Sequence, residues 1–318
     1  MRNLSSALIT FTPFLSDVRL IPYRLTFDIS NDHELMGAYL WSQHTASALY
    51  PLFHFVEIFV RNSIDKEAKK RFGEFWWDKI DYNDTEHTSR KFISNIENAK
   101  ENLRKAWIKA EKKKSRSKSY QTLENECPNF SHDQIVAATE FSTWTFILTN
   151  GFVKPRHEQN SNKKYLWPKS LGKIFKNFNM LDSSPYKALK PLHDNLTDIR
   201  NYRNRIFHHE PIWIKGDTSN LNSIRAIETI RHKVSKMEDF IKIVDPNLHK
   251  ELMEMNLFNN VRRICSIQEL EIYQGKSKEI LAESEFGYIF DKKKIQEASS
   301  KTLCIEYDNQ IFGLMKVL

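Results

Sequence analysis

The chain has 318 residues, 40% of them hydrophobic with 21 phenylalanines, and a formal net charge of +8. That is enough apolar material for one large domain or two modest ones, under a basic surface that suits nucleic acid or an acidic membrane face. Only 8 glycines, and three well-separated cysteines without a CxxC pair, argue against a turn-rich β fold, a disulfide framework and a cysteine-based metal site.

The N-terminal stretch MRNLSSALITFTPFLSDVR has an apolar run interrupted by threonines and Pro13, without the small-residue pattern of a signal-peptide cleavage site. No stretch reaches the ~18 apolar residues that a membrane span needs. The expectation is a soluble, cytoplasmic protein with no membrane partner. Residues 33 to 72 read as helix with a step at Pro51, capped by Gly73 after a basic last turn. Within it, Leu49 to Ile64 is apolar nearly all round and is expected to form the buried central helix.

Further helices are expected near residues 90–113, 133–148, 171–178, 185–209 and 220–243. The first of them runs into KAEKKKSRSKSY, residues 109 to 120. Its cations Lys109, Lys112, Lys113, Lys114, Arg116 and Lys118 form either a solvated helix end or a track for an RNA backbone. After Pro246, LHKELMEMNLFNNVRRI still looks helical, whereas GYIFD and TLCIEYDNQIFGLMKVL alternate like strands, with Asp308-Asn309 as a hairpin turn. The expected organisation is a mainly α helical domain over 1–252, then an extension over 253–318 of α+β character.

The densest chemistry lies in LTDIRNYRNRIFHHEPIW, residues 196 to 213. At ~100° per residue, Leu192, Leu196, Ile199, Ile206 and Phe207 share one apolar stripe, and Arg203 falls in its middle. A guanidinium there either snorkels to the edge or needs a ligand anion or a subunit interface. Arg200, Asn204 and His208 form a flanking stripe at i, i+4 and i+8. His208 and His209 occupy the last turn before Pro211, where the negative end of the helix dipole favours a cationic side chain. A zinc site from His208, His209 and Glu210 is disfavoured, because consecutive side chains diverge and no HExxH or Cys-rich partner occurs.

Arg203 and His208 lie ~140° apart on an ideal helix. Either the helix unwinds before Pro211 or a second copy of the chain completes the site, which makes a homodimer the expected assembly. On the central helix, Glu57 shares a face with Leu49, Phe53, Val60 and Ile64. Its carboxylate calls for a cation, Arg61 or Arg203, in an ion pair rather than a catalytic role.

Arg203-Asn204-x-x-x-His208 fits the Arg-x4-6-His pattern of the HEPN superfamily of helical ribonucleases, a spacing that Arg225 and His232 also satisfy. The blocks LSDVRLIPYR, ALYPLFHFVEIFVRNSI with RFGEFWW, IVAATEFSTWTFIL, IRNYRNRIFHHEPIW and IVDPNLHKEL follow one another as in Abi-like proteins of the AbiD/AbiF type. Over residues 14 to 252 the chain thus resembles that family, with Ser42 standing where the family pattern has an Asn. The resemblance implies an all-helical HEPN core and a role in bacterial abortive infection or toxin–antitoxin defence against phage. It also implies action on RNA, in some members under the control of a small non-coding RNA. By the same resemblance, Arg203 and His208 are the catalytic pair and Asn204 a polar adjunct; beside them, Arg200, Asn204 and His209 are expected to position the phosphate. The expected activity is a metal-independent endoribonuclease without cofactor; the rival readings are a non-catalytic RNA-binding module and an assembly protein.

Overall fold

The computed structural model describes residues 14–155, 164–213 and 222–276, together with the backbone of 303–307 and 310–314. The described chain is mainly helical, as expected. Its helices are α1 (Asp17–Thr26), α2 (Asp32–Phe72), α3 (His87–Lys114), α4 (Tyr120–Glu126), α5 (His132–Ala138) and α6 (Phe141–Phe146). They continue with α7 (Leu171–Ile174), α8 (Pro185–Phe207), α9 (Ser223–Val244), α10 (Pro246–Glu254), α11 (Leu257–Ile264) and α12 (Ile267–Gln274). Near the end, β1 (Leu303–Tyr307) and β2 (Gln310–Leu314) pair antiparallel, from Leu303 opposite Leu314 to Tyr307 opposite Gln310. Asp308 and Asn309, and the GYIFD segment, lie outside the described residues. Among the described residues no helix is long and apolar enough to cross a membrane.

Backbone contacts divide the chain into two units, each assembled from separate segments of the sequence. One comprises Met1–Ala48, Pro211–Ile230 and Val261–Leu318; the other comprises Leu49–Glu210 and Arg231–Asn260.

In the first unit, two fully buried indoles donate to fixed acceptors. Trp41 Nε1 reaches the Ile264 carbonyl at 2.9 Å, and Trp213 Nε1 reaches Thr26 Oγ1 at 2.9 Å. Tyr23 and Phe27 of the α1 region pack edge-on against the Trp213 ring, with centroids at 4.9 and 4.8 Å. Ser42 is buried and accepts a hydrogen bond from the Tyr23 hydroxyl at 3.1 Å. α2 and α12 approach so closely that a Cβ on Gly37 would stand 2.1 Å from the Tyr273 carbonyl oxygen. Only glycine fits there.

The second unit contains the C-terminal part of α2. Pro51 does not break the helix, which runs unbroken for 41 residues and ends at Gly73 in a left-handed conformation (φ 94°). The stretch expected to be buried all round is buried on one face: Leu49, Leu52, Phe53, Val56, Val60 and Ile64 are at most 3% exposed, while Tyr50 is 53% exposed. The residues expected to form one helix over 133–148 form two. Thr139 and Glu140 are extended between α5 and α6. Their kink is pinned by the Trp144 indole donating to Thr139 Oγ1 at 3.0 Å, while that hydroxyl donates to the Val136 carbonyl at 2.7 Å.

α8 carries the residues of interest. It starts at Pro185, whose fixed φ suits a first helical turn. Ala188, Leu189, Leu192, Leu196, Ile199 and Tyr202 form its buried stripe. On one side, the Tyr202 ring packs edge-on against Phe53 of α2 at 5.7 Å. On the other, Lys233 of α9 lies over the same ring at 5.6 Å and contacts both Asp198 oxygens at 2.8 and 2.9 Å. Lys236 adds a further bond to Asp198 at 2.9 Å. Partial burial opposes ionisation of Asp198, but the two ammonium groups together outweigh it and hold the carboxyl below its usual range.

Because the folded pKa of Asp198 lies below its unfolded value of about 3.9, its contribution to stability is present at neutral pH. That contribution is lost as pH falls through the folded value. Asp198→Asn is therefore expected to unfold a few degrees below the wild type at pH 7, and the two melting curves should converge in acid. An equally large gap at both ends of that pH range would contradict the ionic clamp.

Candidate functional site

The motif sits where α8 stops. Phe207 is the last helical residue, His208 is the C-cap with φ −87° and ψ 7°, and His209 turns left-handed at φ 57°. The His209 N–H donates to the Ile206 carbonyl at 3.0 Å and the Glu210 N–H to the Arg205 carbonyl at 3.1 Å. This pair of bonds is the Schellman closure, which usually places glycine in the left-handed position. A non-glycine residue there costs roughly 1–2 kcal/mol, although histidine is among the types enriched in that region. The Arg205–Glu210 ion pair at 3.3 Å closes the same turn from the side-chain level.

The backbone unwinds only after His208, whose N–H still donates to the Asn204 carbonyl at 2.9 Å. The ~140° separation of an ideal helix therefore still describes His208 relative to Arg203. The ring is exposed and makes no side-chain hydrogen bond among the described residues.

Arg203 is not in the middle of the buried stripe. Tyr202 takes that place; Arg203 and Ile206 are half-buried, and Phe207 is 44% exposed. The Arg203 guanidinium lies over the Phe207 ring, 4.4 Å from its centroid, and its Nη1 donates to Asn204 Oδ1 at 3.2 Å. That bond orients Asn204 with its amide NH2 left over as a further donor. Arg200 is half-buried, donates to Thr145 Oγ1 at 2.9 Å and lies 6.0 Å from the Phe146 ring centroid. Burial lowers its pKa, and among the described residues no carboxylate pairs with it. Glu57 behaves otherwise than expected: it is half-buried at the edge of its face, and no ion pair joins it to Arg61 or Arg203. Arg61 instead donates to Asn62 at 3.3 Å. A carboxylate at the rim of the face keeps enough water to need no cation.

The basic tract is built elsewhere, on the end of α3 and the loop after it. It shares no hydrogen bond, ion pair or ring contact with α8 among the described residues. Lys114 and Lys118 are paired with Glu111 and Glu126, each at 2.7 Å. Lys112 donates to the carbonyls of Arg116 and Lys118 and so shapes the loop. Lys109, Lys113 and Arg116 are exposed and make no ion pair among the described residues.

Sequence reasoning missed two features of the site. Tyr50 of α2 lies 5.7 Å from the Phe207 ring, so two exposed aromatic rings form a step beside Arg203. Thr145 of α6 holds Arg200. Neither carries a local signal, since Tyr50 sits within an apolar helix and Thr145 within an aromatic block. Among the described residues no three His, Cys, Asp or Glu side chains are grouped as a metal site.

No family model matches the chain, and neither the curated proteins nor the solved structures searched contain a match.

The closure of α8 generates a test that separates the two histidines. His209→Gly is expected to match or exceed wild-type thermal stability, because glycine adopts φ 57° without strain. His209→Val is expected to destabilise, since a β-branched residue is an outlier there. The reverse order in thermal unfolding would contradict the turn described.

Proposed function

We propose that the protein is an endoribonuclease of the HEPN type, acting at the C-terminal end of α8. The observation that carries this reading is a concentration of unneutralised donors on one helix end. Arg200, Arg203 and His208 lie within nine residues, the Asn204 amide stands beside them, and among the described residues no carboxylate pairs with any of them. Such a set fits a phosphodiester, whose charge it can meet with several bonds at once.

In this reading the 2′-hydroxyl of the substrate attacks the adjacent phosphate. The new O–P bond forms as the bond to the 5′-oxygen breaks, the hydroxyl proton passes to solvent, and His208 protonates the departing 5′-oxygen. Arg203, oriented by its stacking on Phe207, stabilises the charge that builds on the phosphoryl oxygens, and Arg200 and Asn204 position the group. His209 shapes the turn. The Tyr50–Phe207 step offers a face on which a base next to the scissile bond can stack.

The sequence resemblance supports a role in bacterial abortive infection or a toxin–antitoxin pair, with RNA as substrate and a small non-coding RNA as restraining partner. The argument for a homodimer drew on the ~140° between Arg203 and His208 and on the place of Arg203 in the apolar stripe. Tyr202 takes that place in the stripe, but His208 keeps its helical hydrogen bond, so a homodimer in which a second copy completes the site remains part of this reading.

Arg203→Ala and His208→Ala are each expected to lower RNA cleavage by on the order of 100-fold or more, without loss of helical signal or melting temperature. His209→Ala should be milder. A folded His208→Ala protein that cuts RNA like the wild type would contradict the assignment. Wild-type protein that binds RNA tightly and never cuts it would favour a non-catalytic clamp.

A further inference from the structure

The end of α3 and the start of α4 enclose an open groove of about 560 Å³. Its apolar part is the buried Ile108, the aliphatic stems of the lysines and the ring of Tyr120, which is 56% exposed. Lys105, Lys109, Lys112, Lys113 and Arg116 border it, Lys105 being paired with Glu101 at 3.5 Å, and among the described residues no carboxylate lines it. The loop that closes it is fixed at both ends. Lys112 bonds to two loop carbonyls, and Ser119 caps α4 by accepting from the Thr122 N–H at 3.1 Å. An exposed aromatic ring on an ordered element, bordered by Lys109, Lys113 and Arg116 with no ion pair among the described residues, is a surface whose charge is open to a partner.

We propose that this groove binds single-stranded nucleic acid: one base lies in the apolar trough against Tyr120, and the flanking phosphates meet Lys109, Lys113 and Arg116. Charge complementarity calls for a polyanion. The apolar floor calls for one that also presents a flat apolar face, which an unpaired base does and a phosphate surface alone does not. A duplex keeps its bases stacked away from such a trough, so the groove selects single strands. That the strand is RNA rests on the ribonuclease reading; the groove itself is defined by base and phosphate. It would then hold a stretch of substrate at a place separate from the cutting site, adding affinity on all sequences alike.

The test uses the full chain and a 2′-deoxyuridine oligonucleotide of about a dozen residues, long enough to fill an OB-fold-sized site. The strand has no 2′-hydroxyl, so it survives if the protein is a ribonuclease and serves equally if it is not. Tyr120→Ala is expected to weaken binding about tenfold, and Tyr120→Trp to hold or improve it. Tyr120→Ala should leave the affinity for inorganic polyphosphate unchanged, because only charge is read there. Replacing Lys109, Lys113 and Arg116 together by glutamine is expected to flatten the salt dependence by roughly two log units per decade, about 0.7 for each lost phosphate contact. The proposal falls if folded Tyr120→Ala binds the oligonucleotide like the wild type, or if it loses polyphosphate as much as oligonucleotide. It also falls if the wild type binds a duplex as well as the strand, or prefers anionic vesicles to either. Failure of the His208→Ala cleavage test would leave these binding results unaffected.

Discussion

Two backbone hydrogen bonds close the turn after α8, from His209 to Ile206 and from Glu210 to Arg205, and they fix where the chain leaves the helix that carries the site. His208 itself stays on the helix, its N–H donating to the Asn204 carbonyl at 2.9 Å. Pro211 disfavours helical geometry at Glu210, so the chain must leave the helix, and the Schellman closure is how it satisfies the freed groups. The left-handed position falls on His209 rather than glycine, which stores a small strain beside the exposed His208 ring. Upstream, the same helix is held rigidly: Tyr202 lies between Phe53 and Lys233, and Asp198 is gripped by two lysines. A fixed helix with an open end is a suitable base for a site that must present several donors to one anion.

The electrostatics of the second unit divide along the same line. Away from the helix end its cations are commonly paired: Arg104 with Glu101 and Glu124, Lys176 with Asp245, Lys233 and Lys236 with Asp198. At the helix end Arg200 and Arg203 are held instead by a hydroxyl, an amide and aromatic faces, all of which leave their charge uncompensated. Desolvating a guanidinium without a counter-ion is unfavourable, as the lowered pKa of Arg200 records. A bound phosphate would remove that penalty. The groove at the end of α3 repeats the pattern on the surface, with three cations beside an exposed ring that make no ion pair among the described residues.

Much of this was legible in the sequence. The start of α8 at Pro185, the cap at Gly73, the antiparallel pairing on either side of Asp308-Asn309 and the helical texture after Pro246 follow from local chemistry that the structure keeps. Errors arose where packing overrode periodicity. The helical wheel placed Arg203 at the centre of the stripe because it treats burial as uniform along the axis. In the last turn the cover comes from Phe53 and Lys233 on the Tyr202 side, so burial shifts by one residue and Arg203 reaches the edge. The break between α5 and α6 is fixed by a tryptophan bonding to Thr139, a tertiary contact that no spacing rule contains. Glu57 looked buried for the same reason as Arg203. The Tyr50–Phe207 step joins residues 157 apart in the chain and was invisible until α2 and α8 were seen together.

The central claim is that this helix end performs transesterification with the 2′-hydroxyl of the substrate, using side chains in place of metal ions. The chemistry of the fragment ends reads that directly. Purified protein incubated with RNA in EDTA should give 5′-hydroxyl and 2′,3′-cyclic phosphate termini, at the rate seen without chelator. Fragments with 5′-phosphate ends, or cleavage that stops in EDTA and returns with magnesium, would contradict the account.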